Sequence, residues 1–199
     1  MPCPVFKDFI LSSQCEESSG GVASYMYVGL KDDLNAPLTP SSDNPAIYSA
    51  FVAPSSTGSV TPTFKTGKGL YKFDLKQKAN GIKGSSLGPK KRFKQTFTGV
   101  IEAVSPEAAE IARALNNLDY FIIVPDGERN QIMYSKDFRI EAAADGINTD
   151  TGMAPEDDRV LNLSLELQPV NYPNTFIEAP TGGWDAFLAS AQGGDGSAG

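Results

Sequence analysis

Residues 70–124, LYKFDLKQKANGIKGSSLGPKKRFKQTFTGVIEAVSPEAAEIARALNNLDYFIIV, determine the fold class of this chain. They predict, in order, a strand, a long loop, a strand, a helix and a buried strand. In the second strand Phe93, Gln95 and Phe97 occupy one face, while Lys94 and Thr96 occupy the other. This period of two is typical of a strand with one buried face.

The helix is predicted over about residues 105–118. Ser105 is a favourable N-cap, Pro106 suits the first helical position, and Glu107 complements the positive end of the helix dipole. The residues predicted to face the core are Ala108, Ile111, Ala112, Leu115 and Leu118. A rod of this length can cover one flank of a sheet.

Further strands are predicted on either side of this stretch, and residues 77–91 and 144–158 are predicted to be long loops. The additional strands cover residues 25–30, 47–53, 131–135, 138–144 and 160–170. With 19 Gly and 14 Pro marking many turns, the pattern favours a β-rich α+β fold, an antiparallel β-sandwich or barrel with one flanking helix.

One domain is predicted at residues 25–180, between an amino-terminal arm, 1–24, and a flexible carboxyl-terminal tail, 181–199. The tail contains one aromatic anchor, formed by Trp184, Phe187 and Leu188.

The absence of histidine removes much chemistry from consideration. Without it there is no Ser-His-Asp or Cys-His nucleophile, and with only Cys3 and Cys15 as thiols a four-ligand structural zinc site is excluded. We therefore expect neither an enzyme nor a bound cofactor. The apolar residues 5–11 are interrupted by Lys7 and Asp8, so neither a membrane span nor a secretory signal is expected.

Charge is concentrated in residues 65–94, which hold ten of the 17 basic residues and a single acid, Asp74. This segment has a net charge of +9, whereas the rest of the chain has −16. The basic residues expected to contact a neighbouring subunit or ring are Lys83, Lys90, Lys91, Arg92 and Lys94. Their expected acidic partners lie near Asp157 and Asp158.

Three other interpretations of the charged and glycine-rich segments are weaker. The loop GIKGSSLGPKK lacks the spacing of a phosphate-binding loop and opens no helix. The phenylalanines between the lysines are explained more simply by a core than by base stacking. The acids of residues 145–158 lack the spacing of a calcium loop, and a solvated loop is the simpler interpretation.

The strand at residues 160–170 alternates cleanly between polar and leucine positions. Asn162, Ser164, Glu166 and Gln168 are predicted to form one wet face, and the four leucines between 161 and 167 the buried one.

The order of elements resembles the major tail tube proteins of long-tailed bacteriophages and related injection machines. The resemblance rests on GGVASYMYVGLKDDL, on the long loop leading into strand and helix, and on VLNLSLELQPVNYPNTF, and it covers roughly residues 20–178. It implies hexameric rings whose inner strands join into a β-lined channel, and stacked rings that conduct double-stranded DNA without binding it specifically.

On this interpretation the chain is a virion tail protein made in the host cytoplasm. Its partners are copies of itself and other phage tail proteins, and Asn162, Ser164, Glu166 and Gln168 are lumen candidates. Stacking of identical rings requires two different complementary surfaces on one molecule, which the charge segregation can provide. A head-completion or decoration protein, or a monomeric nucleic-acid-binding module, stays open as an alternative.

Overall fold

The computed structural model describes residues 22–51, 64–90, 92–126, 129–152 and 159–189. Ten strands and one α-helix form in these parts of the chain. The strands are β1 (Tyr25–Leu30), β2 (Ile47–Tyr48), β3 (Tyr71–Asp74), β4 (Gly81–Ser86), β5 (Phe93–Ile101), β6 (Tyr120–Asp126), β7 (Arg129–Met133), β8 (Ile140–Asp150), β9 (Val160–Val170) and β10 (Phe176–Ile177). The helix, α1, is Pro106–Asn117.

The strands form two sheets. Sheet 1 has the order β2-β10-β7-β6-β1-β3, and sheet 2 has the order β4-β5-β9-β8. All the pairings are antiparallel except that of β2 with β10. The predicted β-rich α+β fold with one helix is confirmed, and within the described residues neither sheet closes into a barrel.

A first core lies between the two sheets and under α1. Sheet 1 contributes Met26 and Ile122, sheet 2 contributes Phe97 and Leu165, and the helix contributes Leu115. Because β5 and β9 have only one face toward this core, their buried and half-exposed residues alternate.

A second core covers the opposite face of sheet 1. Phe121 and Ile123 of β6 pack there against Phe51, Trp184 and Phe187 from the connecting segments. Every residue from 120 to 125 is buried because β6 has a core on both faces. The aromatic anchor of the predicted tail is part of this core, so the folded chain continues through residue 189, and residues 190–199 lie outside the described residues.

The helix begins as predicted and ends one residue earlier. The Ser105 side chain accepts a hydrogen bond of 3.2 Å from the Ala108 backbone N–H, which confirms the N-cap. Leu118 was expected on the buried face, but it is the C-cap residue and is 44% exposed. Its extended backbone turns it out of the helical periodicity.

Strand boundaries differ from the predictions at several points, and β7 covers Arg129–Met133 rather than residues 131–135. Residues 81–86, predicted as loop, form β4 because they pair with β5 along six positions. Strand β8 continues to Asp150 through an irregularity between Ala142 and Ile147, and β6 continues past Pro125 to Asp126. Strand β2 has two residues only; residues 52–63, and with them Ala53, lie outside the described residues.

No helix in the described part of the chain is long and apolar enough to span a membrane.

Candidate assembly surface

The face of sheet 2 that points away from the first core is polar; we call it the polar face. Strand β9 contributes Asn162, Ser164 and Glu166, which are half-buried, and Gln168, which is exposed. The leucines between them are at most 2% exposed. The predicted alternation in this strand is therefore confirmed, whereas its exposure to a lumen stays a prediction.

The strand register places four polar-face residues in one row across sheet 2. Lys83 of β4 pairs with Thr96 of β5, Thr96 pairs with Glu166 of β9, and Glu166 pairs with Glu141 of β8. The row begins with a cation on one edge strand and ends with an anion on the other. We call it the charged row.

Two of the predicted contact residues have polar partners within the same chain. Lys94 Nζ lies 2.7 Å from Glu166 Oε1, and both side chains are largely covered. Arg92 Nη1 donates a hydrogen bond of 2.6 Å to Asn171 Oδ1. The first contact links β5 to β9, and the second links the residue before β5 to the residue after β9. The Lys94 ammonium group therefore already has an acidic partner within its own chain.

The other predicted contact residues divide into one that is free and several that the structure does not describe. Lys83 is exposed, and no ion pair or hydrogen bond reaches its side chain within the described residues. Lys91, Asp157, Asp158 and the side chain of Lys90 lie outside the described residues, so their proposed pairing stays a prediction.

Several other lysines of the basic segment are neutralised locally. Lys68 Nζ lies 3.6 Å from an Asp33 oxygen, Lys72 Nζ lies 3.7 Å from Asp185, and Lys76 Nζ lies 3.4 Å from Glu102. Each pair has at least one exposed member, and ion pairs open to water add little stability. They do, however, divide the +9 segment into separate ion pairs, so these three lysines contribute little to a shared positive patch.

Both edges of sheet 2 have backbone groups facing outward. Within the described residues β4 pairs only with β5, and β8 pairs only with β9. Because the four strands alternate in direction, β4 and β8 run in opposite directions. An edge of one copy can therefore pair antiparallel with the other edge of an identical copy.

Sequence reasoning missed the residue at the anionic edge. Glu141 is exposed, and no ion pair or hydrogen bond reaches it within the described residues. The sequence did indicate that Glu141 faces away from the core, because it follows Ile140 in a predicted strand. Its position opposite Glu166 and in line with Lys83 depends on a register that the sequence does not disclose.

A buried polar network attaches sheet 2 to sheet 1. Gln95, which is 1% exposed, donates from Nε2 to Thr175 Oγ1 at 3.2 Å and to the Tyr172 carbonyl at 3.3 Å. The Thr175 hydroxyl in turn donates to the carbonyl of Ile132 in β7. Nearby, a Cβ on Gly84 would lie 2.3 Å from the Pro173 carbonyl oxygen, so only glycine lets β4 lie this close.

A polar cleft of about 510 Å³ lies beside the end of β3 and is lined by Ser24, Asp74, Lys76 and Glu102 among others. Within the described residues no three carboxylate or thiol side chains converge in a way that could hold a metal ion. The predictions that the chain has no cofactor and is not an enzyme stay predictions.

No protein-family model matches the chain, and comparisons with curated proteins and with solved structures find no similar protein.

Proposed function

We propose that this protein is a structural subunit that forms rings through the edges of sheet 2, as the major tail tube proteins of long-tailed bacteriophages do. The observation that carries the proposal is a four-stranded antiparallel sheet with a polar outer face and two open edges of opposite direction. The same sheet can be repeated around an axis by rotation alone, without a second kind of subunit.

The dimensions of such a ring support a channel. Six copies of a four-stranded sheet make a barrel of 24 strands. With neighbouring strands about 4.8 Å apart, the backbone diameter is about 37 Å when the strands run along the ring axis, the arrangement in which the charged row continues level from copy to copy. Barrels of this strand number are too wide for their own side chains to fill, so the interior is open.

The chemistry of the polar face suits a channel for DNA. Proteins hold DNA mainly by neutralising its phosphates with lysine and arginine. On the polar face Lys94 is already paired with Glu166. Glu141 and Asp150 of β8 add negative charge at one edge, and Lys83 of β4 adds one positive charge at the other. A wall of this composition gives duplex DNA little to bind, which favours passage over retention.

The charged row supports a specific joint between copies. If the sheets continue in register, Glu141 of one copy lies beside Lys83 of the next. Both side chains are exposed, and neither has an ion pair or hydrogen bond within the described residues. Opposite charges on directly neighbouring strands stabilise a sheet. The joint would therefore satisfy backbone groups and charges together.

The proposed location is the virion tail, with copies of the same chain and other tail proteins as partners. A head-completion or decoration role remains the alternative within virions. The nucleic-acid-binding alternative is less favoured because four lysines of the basic segment are already paired with acids of the same chain.

Negative-stain electron microscopy of the purified protein over a range of concentration and salt tests the proposal. Rings with a central hole, or hollow tubes, support it. A monomer that binds oligonucleotides with a steep salt dependence would contradict it and favour the binding module. Capsid-bound or single-ring species that never stack would favour the head-completion or decoration role.

A further inference from the structure

An apolar groove lies between α1 and sheet 1 at the edge strand β3. Its volume is about 380 Å³. Its walls include Leu30, Tyr71, Phe73, Ile111 and Leu118. Glu107 and Glu110 of the helix also line it, so an apolar floor has acids at its rim.

The groove exposes apolar surface that the rest of the described molecule keeps covered. Within the described residues three large hydrophobic side chains are exposed, and two of them, Tyr71 at 42% and Leu118 at 44%, line this groove. The third, Phe138 at 39%, does not. A concave apolar groove with a polar rim has the shape and chemistry to hold an apolar segment.

The chain contains an apolar segment of suitable composition ahead of the described residues. Residues 5–11, VFKDFIL, include Val5, Phe6, Phe9 and Ile10. In a helical turn these four side chains would share one face and leave Lys7 and Asp8 on the other. This is the pattern of a segment that binds in a groove through its apolar face.

The length of the connecting chain permits this contact. The described structure begins at Val22, which packs on the first core, and the Ala23 N–H bonds to the Pro125 carbonyl at 2.9 Å. Residues 12–21 can span at most about 33–36 Å. Leu30 at the groove is eight residues from Val22, so it lies within about 27 Å along the strand direction.

We infer that residues 5–11 of this chain bind in the groove between α1 and β3. Bound there, their phenylalanine side chains cover Tyr71 and Leu118. The inference concerns an interaction of the chain with itself or with a neighbouring copy, and it holds whether or not the chain forms tubes.

Disulfide trapping tests the inference with a native thiol. In a Cys15→Ser background Cys3 is the remaining native cysteine, and it lies two residues before Val5. Leu118→Cys places a second thiol at the groove, and Phe138→Cys places one at an exposed apolar position outside it. Oxidation of each full-length variant is followed on non-reducing gels, and the linked peptides are identified by mass spectrometry.

We expect the Cys3 disulfide to form at least about tenfold faster with position 118 than with position 138, because binding raises the effective concentration of the two thiols. Adding Phe9→Ser should remove that advantage. An intrachain link places the segment in its own groove, and an interchain Cys3 link places it in a neighbour's; either supports the inference. Equal rates at the two positions, or a dominant link between two copies of position 118, would overturn it.

Discussion

Reversing the charge at one end of the charged row tests whether sheet 2 joins between copies. Lys83 and Glu141 lie at opposite edges of the same row. In a continued sheet the two side chains of neighbouring copies would be a directly opposed cross-strand pair. Lys83→Glu makes that pair repulsive in every joint of the ring, while it changes no ion pair within the described part of the single chain.

The expected effect is large because the joint is repeated. A cross-strand charge pair is worth about 0.2–1 kcal/mol, and like charges cost a similar amount, so a reversal changes each joint by about 0.4–2 kcal/mol. Over six joints this sums to about 2–12 kcal/mol per ring. Even the lower figure reduces the equilibrium constant for ring formation more than tenfold.

The Glu141→Lys variant separates assembly from folding. In the single chain Glu141 lies directly opposite Glu166, so lysine at 141 replaces a repulsive cross-strand pair with an attractive one. In the ring the same lysine meets Lys83 of the next copy. We therefore expect the monomer to unfold at an equal or higher urea concentration while ring formation falls. A variant with a damaged fold would instead unfold at a lower urea concentration and also form fewer rings.

The assay is ring and tube formation, measured by sedimentation and negative-stain microscopy, and the double variant supplies its control. Lys83→Glu combined with Glu141→Lys restores opposite charges at the joint and should recover assembly. Lys136→Glu makes the same charge change at an exposed position outside sheet 2 and should assemble normally. Normal assembly by Lys83→Glu, or a double variant no better than the single ones, would rule out a joint between copies through Lys83 and Glu141.

Three further predictions concern the stability of the single chain. Ser105→Ala removes the N-cap hydrogen bond to α1 and should lower the free energy of unfolding by about 1 kcal/mol in urea titrations, whereas Ser86→Ala at an exposed strand position should change it by less than about 0.5 kcal/mol. Thr175→Val removes an acceptor from buried Gln95 and should cost about 1–3 kcal/mol in the same assay; a neutral result would mean that the network is dispensable. Burial raises the pKa of Tyr48 to about 12, so the folding stability that depends on its neutral hydroxyl should be complete below pH 10 and decline as the pH rises through 12. Tyr48→Phe should lessen this decline when the melting temperature is measured at alkaline pH. An unchanged pH dependence would contradict this.

The sequence was informative where local chemistry and periodicity agree. Ser105 and Pro106 define the start of α1, and the leucines of β9 identify its buried face, because capping and a period of two depend on neighbouring residues alone. Strand β4 was missed for the complementary reason. Gly84, Ser85 and Ser86 have weak strand propensity. They are held extended by their pairing with β5 and by the close approach of Gly84 to Pro173.

The candidate assembly surface was predicted only in part for a similar reason. Lys83 and Glu166 were identified from charge and alternation. Glu141 became a candidate only when the pairing of β8 with β9 placed it in the same row. Lys94 was expected to meet another subunit, and the fold instead gives it Glu166 at 2.7 Å. Strand register and long-range pairing bring together residues that are far apart in the chain, and they cannot be predicted from composition.

The two sheets differ in how much water reaches them, and this difference has a mechanical consequence. Sheet 1 has an apolar core on each face, so the amides of β6 should exchange with solvent only when the whole domain unfolds. Sheet 2 has one wet face and two open edges, and its outer strands can open locally at lower cost. The protein thus combines a rigid sheet 1 with a more compliant sheet 2. In the proposed ring, sheet 2 faces the channel and can deform locally without loosening sheet 1.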